Sequence, residues 1–321
     1  MKKLKTFLTL AFIAILSSCS KSDDAPAPIT PTVVEVPTFK QLVSLTNIFP
    51  NDQVSCLEYS GSTKNIYVLS TSSNTLGFKI TQINIDTKQA TIVYNSPATS
   101  AFAAPETMRI FGNSIYIPQV YGGKIYRLDG IGTNTLALGT TITPPATGTT
   151  WSGAIDIAIA GKMYAITGNK VTIGDSPSFT NLTDFALSNP PRNGATIIYS
   201  SINNNAFLLT SDGEQNGVIT AYNPVTGAFI RSVLALPFGN NCLVKDSQGR
   251  IYNYGYDKIV RYSADLLTKE EFPYTGGNGV STIRQISLIE EGNKIKIIGF
   301  NGVSVPNGGA DFGIDSITIP N

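Results

Sequence analysis

Lys64-Asn65-Ile66-Tyr67-Val68-Leu69 decides the fold, because the chain keeps returning to it. The same pattern, a Gly/Asn turn and then a short hydrophobic-aromatic run, recurs as Asn113-Ser114-Ile115-Tyr116-Ile117, Gly161-Lys162-Met163-Tyr164-Ala165-Ile166 and Asn204-Asn205-Ala206-Phe207-Leu208-Leu209. It continues as Gly249-Arg250-Ile251-Tyr252-Asn253-Tyr254 and Asn293-Lys294-Ile295-Lys296-Ile297-Ile298. The marker position falls at 67, 116, 164, 207, 252 and 296, in steps of 49, 48, 43, 45 and 44 residues. β-branched and aromatic residues between turn formers are strand signals. An all-β period of roughly 40–50 residues is that of propeller blades.

The remaining strands fall around the marker. An innermost strand precedes it in each unit, as at Val54–Tyr59 or Ala154–Ala160. A third strand follows, as at Phe78–Ile85 or Val218–Tyr222, and then an outer one such as Phe229–Leu236. The last unit ends at its third strand, while Phe39–Leu45 is a lone strand ahead of the first unit. Pairing these two removes an open sheet edge. The expected architecture is therefore an all-β, six-bladed propeller of four-stranded blades over residues 38–321, the N-terminal strand completing the last blade. A seven-bladed ring with one degenerate unit is the alternative.

The exits of the third strands, Ile85-Asp86-Thr87-Lys88 and Tyr222-Asn223-Pro224-Val225-Thr226-Gly227, resemble the repeats of the NHL-like and quinoprotein-like propellers. That resemblance implies a fold and no particular activity. No Trp-Asp dipeptide ends a blade, so the WD40 pattern is absent.

The N-terminus reads as an export signal. Lys2, Lys3 and Lys5 precede the apolar run Phe7–Leu16, whose ten residues span roughly 15 Å as a helix, half a bilayer core. Leu16-Ser17-Ser18-Cys19 resembles the lipobox of bacterial lipoproteins, which implies a signal peptide at 1–18 and lipid, palmitate included, on Cys19 as mature N-terminus. The pair Asp23-Asp24 resembles the surface-export tag of lipoproteins in a Gram-negative phylum rich in them. Residues 19–37 would be a lipidated, Pro-rich tether, APAPITPTVVEVP forming an extended stalk. The membrane is thus one expected partner, and the outer membrane, facing the cell surface, the expected location.

Composition narrows the chemistry. The chain has 321 residues, 14% charged against roughly 25% in average proteins, and no histidine. A Ser-His-Asp triad, an imidazole base and a His-ligated metal site are excluded. The formal charge of +1 leaves no footprint for nucleic acid, and loss of three leader lysines turns it to −2. Neither a metal nor another cofactor is expected. Ser211–Gly217 is rich in oxygen donors but lacks the spacing of a calcium loop. Cys56 and Cys242 fall in blades one and five, too far apart in a six-membered ring to bridge.

In a propeller the blade-to-blade loops and the second-to-third-strand loops share one rim. Here that rim would carry Tyr121, Trp151, Arg192, Asp212, Glu214, Tyr254 and Tyr256, residue types suited to binding. Asp156, inside an innermost strand, faces either the channel or the next blade. Marker-position tyrosines are expected between blades. Asp315-Ser316-Ile317 resembles a short O-glycosylation sequon of the same phylum, although it falls in a predicted strand. The leading expectation is a non-catalytic, monomeric propeller that binds a protein or glycan through this rim. A carboxylate-dependent polysaccharide hydrolase or lyase and a periplasm-facing assembly scaffold are the alternatives. A hydrolase needs two acids about 5–10 Å apart.

Overall fold

Each hydrophobic-aromatic run pairs with the segment before it across a short turn. Ser60 pairs with Asn65 across residues 61–64, Phe111 with Ser114, and Ala160 with Lys162. The computed structural model describes residues 36–49, 52–72, 77–99, 105, 107–119, 124–143, 156–167, 170–191, 196–211, 217–236, 243–255, 257–275, 286–301 and 313–321. Residues 1–35, with Cys19, the signal and most of the tether, lie outside them.

After β1 (Lys40–Ser44), the first blade is built from β2 (Asp52–Ser60), β3 (Asn65–Ser72), β4 (Lys79–Asn84) and β5 (Ala90–Asn95). The second has β6 (Arg109–Phe111), β7 (Ser114–Gln119), β8 (Lys124–Asp129) and β9 (Ala137–Leu138). The third has β10 (Asp156–Ala160), β11 (Lys162–Thr167), β12 (Lys170–Asp175) and β13 (Thr180–Ala186). The fourth has β14 (Thr196–Ile202), β15 (Asn205–Ser211), β16 (Val218–Tyr222) and β17 (Phe229–Leu234). The fifth has β18 (Val244–Lys245), β19 (Ile251–Tyr254), β20 (Lys258–Tyr262) and β21 (Lys269–Pro273).

The sixth blade contains β22 (Ser287–Glu291), β23 (Lys294–Asn301) and β24 (Gly313–Pro320), and its fourth strand is β1, antiparallel to β24. The lone N-terminal strand therefore closes the C-terminal blade as expected. Innermost strands β2, β6, β10, β14, β18 and β22 touch in that order, and β22 touches β2 again. The ring is closed at six blades, which sets the seven-bladed alternative aside.

The core is distributed around the ring. Six hydrophobic clusters each lie between two neighbouring blades: Tyr67 and Leu69 meet Ile115 and Tyr126, for example, and Leu57 and Ile66 meet Ile298 and Ile314. Every residue of β7 is buried, whereas β13 is exposed along most of its length. Strands covered on both faces by neighbouring blades lose strict alternation, so the marker runs read as continuous apolar stretches. The marker tyrosines sit in these seams as expected. Tyr67 is fully buried, donates to Gln82 Oε1 (3.0 Å) and accepts the Gly132 N–H of the second blade (2.9 Å).

Tight turns also wedge blades together. Gly249 has φ of 81°, and a Cβ there would meet Ser201 O at 2.3 Å and Ser200 Oγ at 2.9 Å. Gly249→Ala is expected to cost about 2–4 kcal/mol, combining left-handed strain with overpacking. Gly161→Ala, at φ of 76° with open space around it, should cost only the strain, about 1–2 kcal/mol. Denaturant unfolding of the two variants measures the difference, and equal losses would remove the wedge.

Candidate functional site

The innermost strands leave a channel along the ring axis, with a cavity of about 220 Å³. Polar residues from five blades line it: Glu58 and Tyr59 from β2, Arg109 from β6, Tyr199 from β14, Lys245 from β18, and Ser287 and Glu290 from β22. The half-buried Ile110, Ile159, Val244 and Leu288 supply its apolar wall, and the backbone of Ile157–Ala158 and Ile197–Ile198 runs beside them.

Register places the charges. Glu58 pairs with Tyr67 and Arg109 with Tyr116, so both stand across the hairpin from a marker position. Ala158 holds that place in the third blade and Ser200 in the fourth. The sequence reading missed Glu58 and Arg109, although Glu58 lies within Val54–Tyr59, which it assigned to an innermost strand. A charged residue opposite a buried tyrosine was the available signal.

Asp156 is fully buried beside them. Its Oδ2 accepts Arg109 Nη2–H at 2.6 Å and the Ile197 N–H at 3.0 Å, while Oδ1 accepts its neighbour Ile157 N–H at 2.8 Å. Arg109 Nε–H also donates to Ile157 O at 3.3 Å, and Glu58 Oε2 accepts the Ile110 N–H at 2.7 Å. Glu58, Arg109 and Asp156 thereby join blades one to two, two to three and three to four.

Other polar bonds complete the circuit. Lys245 Nζ donates to Tyr199 O at 2.6 Å, and the Ser200 hydroxyl donates to Gly249 O at 2.7 Å, which joins blades four and five. Ser247 donates its N–H and its hydroxyl to the Glu290 carboxylate at 2.7 and 2.6 Å, joining five and six. The Tyr59 N–H donates to Ser287 Oγ at 2.9 Å, joining six to one.

Burial sets the protonation states. It pushes the Glu58 carboxyl up to about 7, against the pull of Arg109 and of the Ile110 N–H, with Asp156 pushing it the same way. Asp156 is also raised by burial, while Arg109 and the Ile197 and Ile157 N–H groups oppose the rise. Burial works against the Arg109 cation, yet Asp156 and Glu58 more than offset it and hold Arg109 above its ordinary value. Lys245, 6.0 Å from the centroid of the Tyr199 ring, is lowered by burial. Cys56 is raised well above its ordinary value by burial first and by Glu58 second, so this free thiol is an inert packing group.

Of the residues singled out in the sequence, Asp156 lies between blades as a hydrogen-bonding hub. Tyr254, expected on the rim, instead ends β19 at 2% exposure and packs in the seam between the fifth and sixth blades with Tyr274 and Ile295. Seam burial covers its ring, so it is a core residue here. Tyr121, Trp151, Arg192, Asp212, Glu214, Tyr256 and Cys242 lie outside the described residues. Among the described residues no three His, Cys, Asp or Glu side chains are grouped to share a metal ion. Ser316, the sequon hydroxyl, stands in β24 against the carbonyl of Lys40.

No protein-family model matches the chain. No curated protein matches it either. Its fold is similar to that of an unknown-function protein from Dyadobacter fermentans, at 12% identity and a TM-score of 0.58 over 89% of this chain and 100% of that one. A gluconolactonase from Xanthomonas campestris is similar at 13% identity and a TM-score of 0.55, over 89% of this chain and 90% of the other. A putative 6-phosphogluconolactonase from Bacteroides uniformis is similar at 15% identity and a TM-score of 0.51, over 81% and 84% of the two chains. At such identities the likeness is one of architecture, and with the closed ring it settles the fold: the chain is a six-bladed β-propeller.

Proposed function

We propose that the protein is a lipoprotein of the bacterial outer membrane, anchored through Cys19, whose propeller binds a protein or glycan partner at the rim where the innermost strands begin. It performs no chemistry on that partner. The observation that carries this reading is the use made of the channel's acids. Both oxygens of Asp156 accept backbone N–H groups, one of them also the Arg109 guanidinium, and Glu58 Oε2 is taken by the next blade. Such a pair bolts blades together and does not oppose acid to base across a substrate. Strand order supports the rim as the binding end, because all blade-to-blade connections leave and return there, including residues 96–108, 139–155 and 274–286.

A catalytic reading has one observation in its favour, the near-neutral Glu58, together with the lactonase names borne by two proteins of similar fold. Cross-linking on intact cells, followed by recovery of the protein, separates the readings. Trp151→Ala and Arg192→Ala are each expected to reduce the recovered partner about tenfold, the loss that a buried hot-spot side chain of about 1.4 kcal/mol or more carries. Protease added to intact cells should digest the propeller if it faces outward; full protection would make it a periplasm-facing scaffold. Lactone or polysaccharide hydrolysis that is lost in Glu58→Gln would overturn the binding reading.

A further inference from the structure

The rim reading leaves the channel without a role, yet its chemistry is that of a small-molecule site. Arg109 is held through one edge, Nε–H to Ile157 O and Nη2–H to Asp156, while its Nη1 makes no hydrogen bond to a described residue. Glu58 uses Oε2 towards Ile110 and leaves Oε1 free among the described residues. Lys245 gives one N–H to Tyr199 O and keeps two. Ser287 Oγ accepts from Tyr59, which leaves its hydroxyl hydrogen available. The Glu290 carboxylate is capped by Ser247 on both oxygens. What remains open to the cavity is a set of donors beside an apolar wall.

We propose that the channel binds a small organic monocarboxylate. Its charge lies between Arg109, the Glu58 carboxyl and Lys245, and its apolar body lies against the half-buried Ile110, Ile159, Val244 and Leu288. A guanidinium edge next to a protonated carboxyl offers two donors to the two oxygens of one carboxylate. Asp156 offsets Arg109, while Lys245 has no acid paired with it among the described residues, so one ligand charge is balanced and a second is not. The cavity of about 220 Å³ suits a body the size of a benzene ring or a short acyl chain, since an apolar cavity of about 150 Å³ takes up benzene.

The site has a built-in pH dependence. Glu58 faces Arg109 from β6 and Asp156 from β10, with Cys56 on its own strand; Lys245 and Glu290 line the same channel from β18 and β22. Below about pH 7 Glu58 is neutral and donates; above it the carboxylate repels a bound anion. Anion binding therefore weakens as pH rises through this value.

Titration calorimetry on the full chain in detergent tests the proposal, with benzoate and butyrate as probes and benzylamine as the cationic control. Both carboxylates should bind at pH 6 and lose roughly tenfold in affinity by pH 8.5, with benzylamine binding more weakly than benzoate at pH 6. Glu58→Gln replaces the titrating carboxyl with an amide, and the ratio of affinities at the two pH values should fall to about one. Lys245→Gln should weaken benzoate about tenfold at pH 6. No binding of either carboxylate at pH 6, benzylamine binding as tightly as benzoate, or a pH slope that survives Glu58→Gln would each overturn it. The site is independent of the rim, so these results leave the partner-binding test untouched.

Discussion

Asp156→Ala is expected to lower the unfolding free energy by about 3–5 kcal/mol, the usual loss when one member of a buried ion pair is removed. The Asp156 side chain is 1% exposed and that of Arg109 is 14% exposed, so water replaces the lost partner poorly. The substitution also orphans the backbone N–H groups of Ile157 and Ile197, one of them on the next blade. Three of the ring's six junctions pass through Arg109, Asp156 and Glu58, and opening one junction in a closed ring exposes seams on both sides. Urea melts followed by circular dichroism measure the loss, with Lys162→Ala as the comparison. That lysine's pair with Asp175 is 3.1 Å long but 55% and 42% exposed, where screening and side-chain entropy cancel most of the attraction. A loss at Asp156 no larger than at Lys162 would remove the junction's assigned role. Replacing both partners with apolar residues should recover much of it, since the charges then no longer need each other.

The architecture was legible because propeller packing writes itself into the sequence at a fixed period. Tyr67, Tyr116 and Tyr252 are buried by blades on both sides, so each unit needs a large side chain at the same place and keeps one. The velcro closure was legible for a similar reason: a strand missing from the last blade and a lone strand before the first complement each other, as the pairing of Lys40 with Ser316 bears out.

The channel was much less legible. Glu58, Arg109 and Ala158 share one structural position, but they precede their marker partners Tyr67, Tyr116 and Tyr164 by nine, seven and six residues. The intervening turns differ in length, so no fixed count reveals the register. Charge in a propeller channel also comes from single residues on separate blades. Glu58, Arg109 and Lys245 are widely spaced in the chain, and nothing local marks them as neighbours. Tyr254 illustrates the opposite error: at the end of its marker run, next to a loop, it is expected on the rim, yet the seam covers it.

Cys19→Ser is expected to have an all-or-none effect: acyl label fed to cells should enter the wild-type protein and be absent from the variant, which should also leave the outer-membrane fraction. The expectation rests on Leu16-Ser17-Ser18-Cys19, which resembles a lipobox. The Phe7–Leu16 run reaches roughly 15 Å as a helix, half the hydrocarbon thickness, and no helix among the described residues is long and apolar enough to cross a membrane. Each buried methylene contributes about 0.8 kcal/mol, so a single acyl chain holds marginally, whereas the two or three on a lipoprotein cysteine hold stably. Anchoring should therefore depend on one sulfur atom. A variant that still sediments with the outer membrane, or a wild-type protein that takes up no label, would overturn the lipid anchor. Asp23→Ala with Asp24→Ala separates anchoring from display. It should leave the acyl label in place and protect the propeller from protease on intact cells, because the acidic pair next to the lipid resembles the export tag and takes no part in acylation. If the double variant is digested as readily as the wild type, the pair only hydrates the tether.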